Sequence, residues 1–196
     1  MSAAEWLALA VVLGAAASVL FFALRLGIGP VPTSPAVRRV VLAQVPADTR
    51  GPIHELGAGW GGLALALAAR CPGARVVAFE RSPVPRWVLR LRCRLLRRAN
   101  VEVRGDDFFA VSHREAQLVV CYLFTGAMAR LGEKLRAELQ PGAQVVSHTF
   151  HLRGWTPARV ARADDVYRTE VFSYVAPGAA GPATAGTAAS GPAPSP

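Results

Sequence analysis

The sequence is nearly without lysine: among its 22 Lys and Arg residues, Lys134 is the only one. Cysteine is scarce as well. Cys71, Cys93 and Cys121 are odd in number and far apart, and no Cys-x-x-Cys or paired Cys/His spacing occurs. That excludes a zinc framework and a disulfide scaffold, and the three read as reduced thiols. Charge is missing from both ends. Met1–Ala23 holds no basic residue and one acid, Glu5, while Ala176–Pro196 contains only Ala, Gly, Pro, Ser and Thr. At 196 residues the chain is too short for two large domains, and at 52% hydrophobic it is too apolar to be disordered throughout. One compact domain is expected between two non-globular ends. It carries 22 basic and 12 acidic residues, a net +10 against +9 for the whole chain.

Trp6–Leu24 runs for 19 residues without a charge. A helix of that length reaches about 28 Å, close to the hydrocarbon thickness of a bilayer. A secretory signal would need a basic start and a small-residue cleavage site, and both are missing. Residues 1–26 therefore read as a transmembrane anchor, with 6–24 in the bilayer. Arg25, Arg38, Arg39 and Arg50 all follow this stretch and no basic residue precedes it, so the domain is expected on the cytoplasmic side. Residues 27–35, rich in Gly and Pro, read as a short stiff linker, 36–175 as the folded domain and 176–196 as a disordered tail.

Within the domain, apolar runs alternate with amphipathic ones. Helices are expected at Ala36–Val45, Leu63–Arg70, Arg86–Arg98 and about Ala127–Leu139. Strands are expected at Ile53–Leu56, Arg75–Phe79, Val101–Arg104, Leu118–Leu123 and Gln144–Phe150, with two closing strands at Arg159–Ala163 and Val166–Val175. Such alternation predicts a parallel α/β sheet with right-handed crossovers.

The chemistry concentrates in His54-Glu55-Leu56-Gly57-Ala58-Gly59-Trp60-Gly61-Gly62, between the first strand and its helix. Gly57, Gly59 and Gly62 satisfy the GxGxxG of dinucleotide sites. Glu55 with Gly57, Gly59 and Gly61 satisfies an acid-x-GxGxG pattern instead, which leaves Gly62 as a helix-packing residue. Glu80, after the second strand, suits ribose hydroxyls, which either cofactor would present. Asp106 or Asp107, followed by Phe108, suits an adenine amino group and ring face, and the sequence does not choose between them. A carboxylate before the glycines repels a pyrophosphate and favours a cationic cofactor.

This second pattern resembles motif I of the class I S-adenosylmethionine-dependent methyltransferases. The longer run resembles one branch of them, the membrane-anchored protein-lysine methyltransferases that modify the ADP/ATP carrier and the ATP synthase c subunit. It is carried by Gly29-Pro30-Val31-Pro32-Thr33, Glu55-Leu56-Gly57-Ala58-Gly59, Phe79-Glu80-Arg81-Ser82-Pro83, Gly105-Asp106-Asp107-Phe108-Phe109, Tyr122-Leu123-Phe124 and Gly154-Trp155-Thr156-Pro157. Trp60 and Thr125 depart from the branch's usual residues, and Gly59-Trp60-Gly61-Gly62-Leu63 also resembles the cyclopropane fatty-acid synthases, which keeps a lipid substrate open. The resemblance implies a Rossmann-like, mostly parallel sheet with an antiparallel last strand and S-adenosyl-L-methionine as cofactor. It also implies a membrane-associated protein substrate bearing lysine, with a lipid or quinone-like small molecule, or a non-catalytic module, as alternatives.

Tyr122, after the fourth strand, is the expected catalytic group, able to orient an amine or accept its proton. His148, His151 and Trp155 are weaker candidates. Arg86, Arg90, Arg94 and Arg97 recur on one helical face, with Val88, Leu91 and Leu95 on the other. That face suits anionic lipid headgroups. Nucleic acid is disfavoured, because the anchor confines the domain to a membrane and aromatic residues are few among the basic ones.

Overall fold

Strands β1 (Ile53–Leu56), β2 (Val76–Phe79) and β4 (Leu118–Cys121) are buried along their whole length. Continuous apolar runs of this kind belong in the middle of a sheet covered on both faces. The computed structural model, which describes residues 2–26 and 32–177, places them there. With β3 (Val101–Arg104), β5 (Gln144–His148), β6 (Arg159–Arg162) and β7 (Glu170–Val175), the sheet has the order β3-β2-β1-β4-β5-β7-β6. Pairing is parallel from β3 through β5, and β7 runs antiparallel between β5 and β6. The expected Rossmann-like sheet with an antiparallel last strand is what forms. Residues 27–31 of the linker and 178–196 of the tail lie outside the described residues.

Helices α2 (Pro35–Ala43), α3 (Gly62–Arg70) and α4 (Pro83–Leu95) cover one face, where Val37, Val41, Leu67 and Leu89 join Ile53, Val76 and Val120 in the core. Helix α5 (Thr125–Glu138) covers the other with Leu131 and Leu135, beside Leu152, Trp155 and Tyr174. Helix α1 (Ala3–Leu26) contains the stretch Ala3–Leu24, long and apolar enough by length and composition to cross a membrane, and it comes against α4.

Several boundaries differ from expectation for local reasons. Helix α4 starts at Pro83, not Arg86, because Pro83 and Pro85 sit in the first turn, where a missing N–H costs nothing. It ends at Leu95, and Arg97 lies beyond it with φ 49°. Helix α2 takes in Pro35, with the Ser34 hydroxyl accepting from the Val37 amide at 3.2 Å. Strand β5 stops at His148 because Thr149 turns left-handed, at φ 68°. Strand β7 begins at Glu170, since Asp165 accepts from the amide and hydroxyl of Thr169 and holds the preceding residues in a turn.

The β3–β4 crossover is irregular, and a pair of histidines ties it down. His54 Nδ1 and His113 Nδ1 lie 2.9 Å apart, and His113 Nε2 lies 2.8 Å from the carbonyl of Phe108. Burial lowers both imidazoles, His54 to about 4, so this buried link is between neutral rings. The His113 amide donates to Glu138 of α5, whose other oxygen pairs with Lys134.

At the start of α3, Gly61 adopts φ +81°, and a Cβ there would stand 2.1 Å from Leu89 Cδ1. We expect Gly61→Ala to lower unfolding free energy by about 2–4 kcal/mol, the sum of a left-handed backbone penalty and overpacking. Urea denaturation measures it. Adding Leu89→Ala should remove the steric share of that new loss and leave the backbone share.

Candidate active site

The strand order reverses direction between β1 and β4, and a cavity of about 760 Å³ opens beyond the C-terminal ends of these strands. This is where ligands enter open α/β sheets. Register fixes what surrounds it. Leu56 is level with Cys121 and with Phe79, so the glycine loop after β1, Tyr122 after β4 and Glu80 after β2 all emerge at one height.

The glycine loop folds back onto β2, with the amides of Gly57 and Ala58 donating to the Phe79 carbonyl at 3.0 and 2.9 Å. Gly57 and Gly59 have φ +82° and +53°, which only glycine adopts freely. Glu80 locks the arrangement. Its Oε2 accepts from the Gly59 amide and its Oε1 from the Ser82 amide, both at 2.7 Å. Beside it Glu55 is buried, and its Oε2 has no hydrogen-bond partner. Burial, and then the charge of Glu80, push the Glu55 carboxyl up to about 8.

Of the other expected residues, Asp107 lines the cavity, accepting from Arg81 at 2.9 Å and from the Phe109 amide at 3.0 Å. Asp106 instead pairs with Arg104 at 2.9 Å on the surface, so the acid at the cavity is the second of the two. Gly61 stays out of the cavity lining, packed on Leu89, and Gly62 lines it instead.

Tyr122 lines the cavity and stacks on His148, with ring centroids 4.3 Å apart and planes 17° from parallel. Burial lowers His148 to about 4, which keeps it neutral at pH 7. Its Nε2 meets Thr33 Oγ1 at 3.3 Å, so the segment before α2 reaches the cavity through Pro32 and Thr33. Composition alone marks that segment as a spacer, and its one signal is membership of the Pro-Val-Pro-Thr run. His151 is exposed against the edge of Phe172, and Trp155 donates to the Gly132 carbonyl at 2.9 Å and belongs to the core. The rim also holds Arg38, Arg92 and Arg130, the last stacked over Phe109 at 4.4 Å.

These acceptors fit a cationic nucleoside. The orphaned oxygen of Glu55 could take an ammonium group, Glu80 a ribose diol, and Asp107 with Phe108 an adenine. Sheet order, glycine loop and acid pair together define an S-adenosylmethionine-dependent methyltransferase. The model of the ANTKMT methyltransferase domain matches residues 55–159, and the chain belongs to that family.

The chain is 32% identical over 145 residues to a protein-lysine N-methyltransferase of Saccharolobus islandicus, a match covering 69% of this chain and 84% of that one. It is 30% identical over 138 residues to the mouse lysine N-methyltransferase of the ATP synthase c subunit, covering 63% of this chain and 55% of the mouse protein. Among solved structures, an RNA methyltransferase of Salinibacter ruber in complex with S-adenosyl-L-homocysteine superposes with a TM-score of 0.68. The match has 30% identity and covers 75% of this chain and 94% of that one.

With its carboxyl raised, Glu55 is expected to make binding of a cationic cofactor pH-dependent. A neighbouring cation favours the ionised form, so binding near pH 7 should release a proton. Affinity should rise by up to about tenfold per pH unit below about 8 and level off above it. For the protein without cofactor the sign is opposite. A carboxyl raised from 4.5 to about 8 contributes stability below 4.5 that is lost as pH rises through 8. Calorimetric titration with S-adenosylmethionine at several pH values tests the first statement, and Glu55→Gln should flatten both profiles.

Proposed function

We propose that this chain methylates a lysine ε-amine of a membrane-associated protein, with residues 36–175 as the catalytic domain and residues 6–24 anchoring it in a bilayer. The reading rests foremost on one observation: Tyr122 stands at the cavity, level with the glycine loop, backed by a neutral imidazole. The lysine N-methyltransferase activities of the Saccharolobus islandicus and mouse relatives support lysine as the acceptor.

When bound, S-adenosylmethionine supplies an activated methyl group, so the chain itself contributes binding, orientation and exclusion of water. Glu55 would hold the cationic end, Gly57 and Gly59 would let the backbone approach it, and Glu80 would hold the ribose and Asp107 the adenine amino group. An incoming lysine must be neutral to act as a nucleophile. The Tyr122 phenol oxygen accepts a hydrogen bond from that amine and orients its lone pair. His148, pinned by Thr33, fixes the plane of the phenol.

The anchor reading draws on the length of α1 and on Arg25, Arg38, Arg39 and Arg50 after it, which favour a cytoplasmic domain. Among the arginines of α4, Arg86 donates to the carbonyls of Glu80 and Arg81 and is taken up in supporting the site. Arg90, Arg94 and Arg97 remain the candidates for anionic lipid.

Incubating membranes with labelled cofactor and enzyme, then separating protein, lipid and RNA, tests the acceptor. Label is expected in protein and, after hydrolysis, in methyl-lysine; label confined to lipid or RNA refutes the lysine reading. Tyr122→Phe should reduce kcat by roughly 100-fold and leave cofactor affinity unchanged. For topology, a C-terminal alkaline phosphatase fusion should be inactive, and periplasmic activity would contradict the cytoplasmic placement.

A further inference from the structure

Helix α4 packs its Pro85, Leu89 and Cys93 inward, so the face opposite them is the one presented outward. That outward face is not the arginine row that periodicity suggests. Trp87, Leu91 and Leu95 recur at i, i+4 and i+8 and are 64%, 38% and 72% exposed. Leu96, just past the helix, is 52% exposed. Three large apolar side chains in line on a water-facing helix call for a cover.

Beside this row lies a groove of about 450 Å³ between the C-terminal end of α4 and β3. It is lined by Arg90, Arg94, Arg97 and Arg98 with Val101 and Val103, and no carboxylate is among its lining residues. The Nε of Arg98 is buried there without a hydrogen-bond partner. One or two cations complement a helix C-terminus. Four around one concavity, one with an orphaned donor, ask for an anion.

We propose that α4 is an interfacial helix: Trp87, Leu91 and Leu95 sit at the headgroup–acyl boundary of a bilayer, and the arginine groove takes the phosphate of an anionic lipid. An apolar row flanked by arginines, with tryptophan at one end, is the pattern of helices that lie in a membrane surface. Helix α1, the segment read as the span, comes against α4, which keeps α4 close to the proposed membrane surface. The inference rests on that anchor reading and deepens it. Helix α4 starts three residues after Glu80, and its Arg92 donates to the Trp60 carbonyl at 2.6 Å. A membrane-bound α4 thereby sets the height of the cavity above the bilayer, and it restricts the acceptor to lysines near headgroup level.

The test uses the full chain in phosphatidylcholine vesicles with and without phosphatidylglycerol, carrying a nitroxide at Leu91→Cys or, separately, at Val12→Cys in α1. The native cysteines are buried, so label goes to the introduced one. With phosphatidylglycerol, the Leu91 label should lose several-fold of its collisions with a water-soluble nickel chelate and gain collisions with oxygen. Arg90→Gln, Arg94→Gln and Arg97→Gln together should return it to water. Equal nickel access in both vesicle types overturns the proposal. So does shielding from oxygen as well as nickel, which marks a protein contact. Shielding that survives the triple arginine substitution overturns the headgroup groove. The Val12 label reports the anchor separately: its access to nickel refutes the span, while the Leu91 result decides α4 in either case.

Discussion

Two carboxylates are kept out of water side by side at the ends of β1 and β2, and the site is organised around the cost of holding them there. Glu80 is compensated by two amide donors, and by accepting them it fixes both the glycine loop and the start of α4. Glu55 lacks full compensation; one oxygen is unpartnered and its proton is retained to about pH 8. Burying a carboxyl without partners is unfavourable in a bare protein and becomes favourable when a cation arrives. The part of the cavity beside Glu55 thus suits a positively charged group.

That constraint explains which parts of the molecule are legible in the sequence. Glu55, Gly57, Gly59 and Glu80 sit in strand–turn–helix connections a few residues long, so local pattern and final position coincide. Asp106 and Asp107 are adjacent in an irregular segment, and their roles are divided by Arg104 on one side and Arg81 on the other, partners that no spacing rule reveals. Gly61 and Gly62 exchange expected roles because the side chain that occupies the space beside Gly61, Leu89, comes from α4. Thr33 finds its partner His148 at a separation of 115 residues, a relation that only the folded sheet creates.

Helix α4 is the most instructive difference between pattern and packing. Arginine periodicity marks a charged face, yet burial is decided by Pro85, Leu89 and Cys93, which leaves two leucines and a tryptophan turned outward. A net +10 between Leu24 and Val175 could suggest a polyanion-binding protein. In the fold, much of that charge is committed: Arg86 and Arg92 support the site, and Arg75, Arg81, Arg104 and Arg162 pair with carboxylates. Four other arginines, Arg90, Arg94, Arg97 and Arg98, gather around one end of one helix.

The ion pair that closes α5 has a bearing on the chemistry. Lys134 is the sole lysine of the chain, and its ammonium is held against Glu138, which in turn receives the amide of His113. For an enzyme proposed to act on lysine amines, this means that its own side chains offer no free competing acceptor. Modification of Lys134 would first have to break that pair. A chain with a single, paired lysine presents few such amines to other copies of itself.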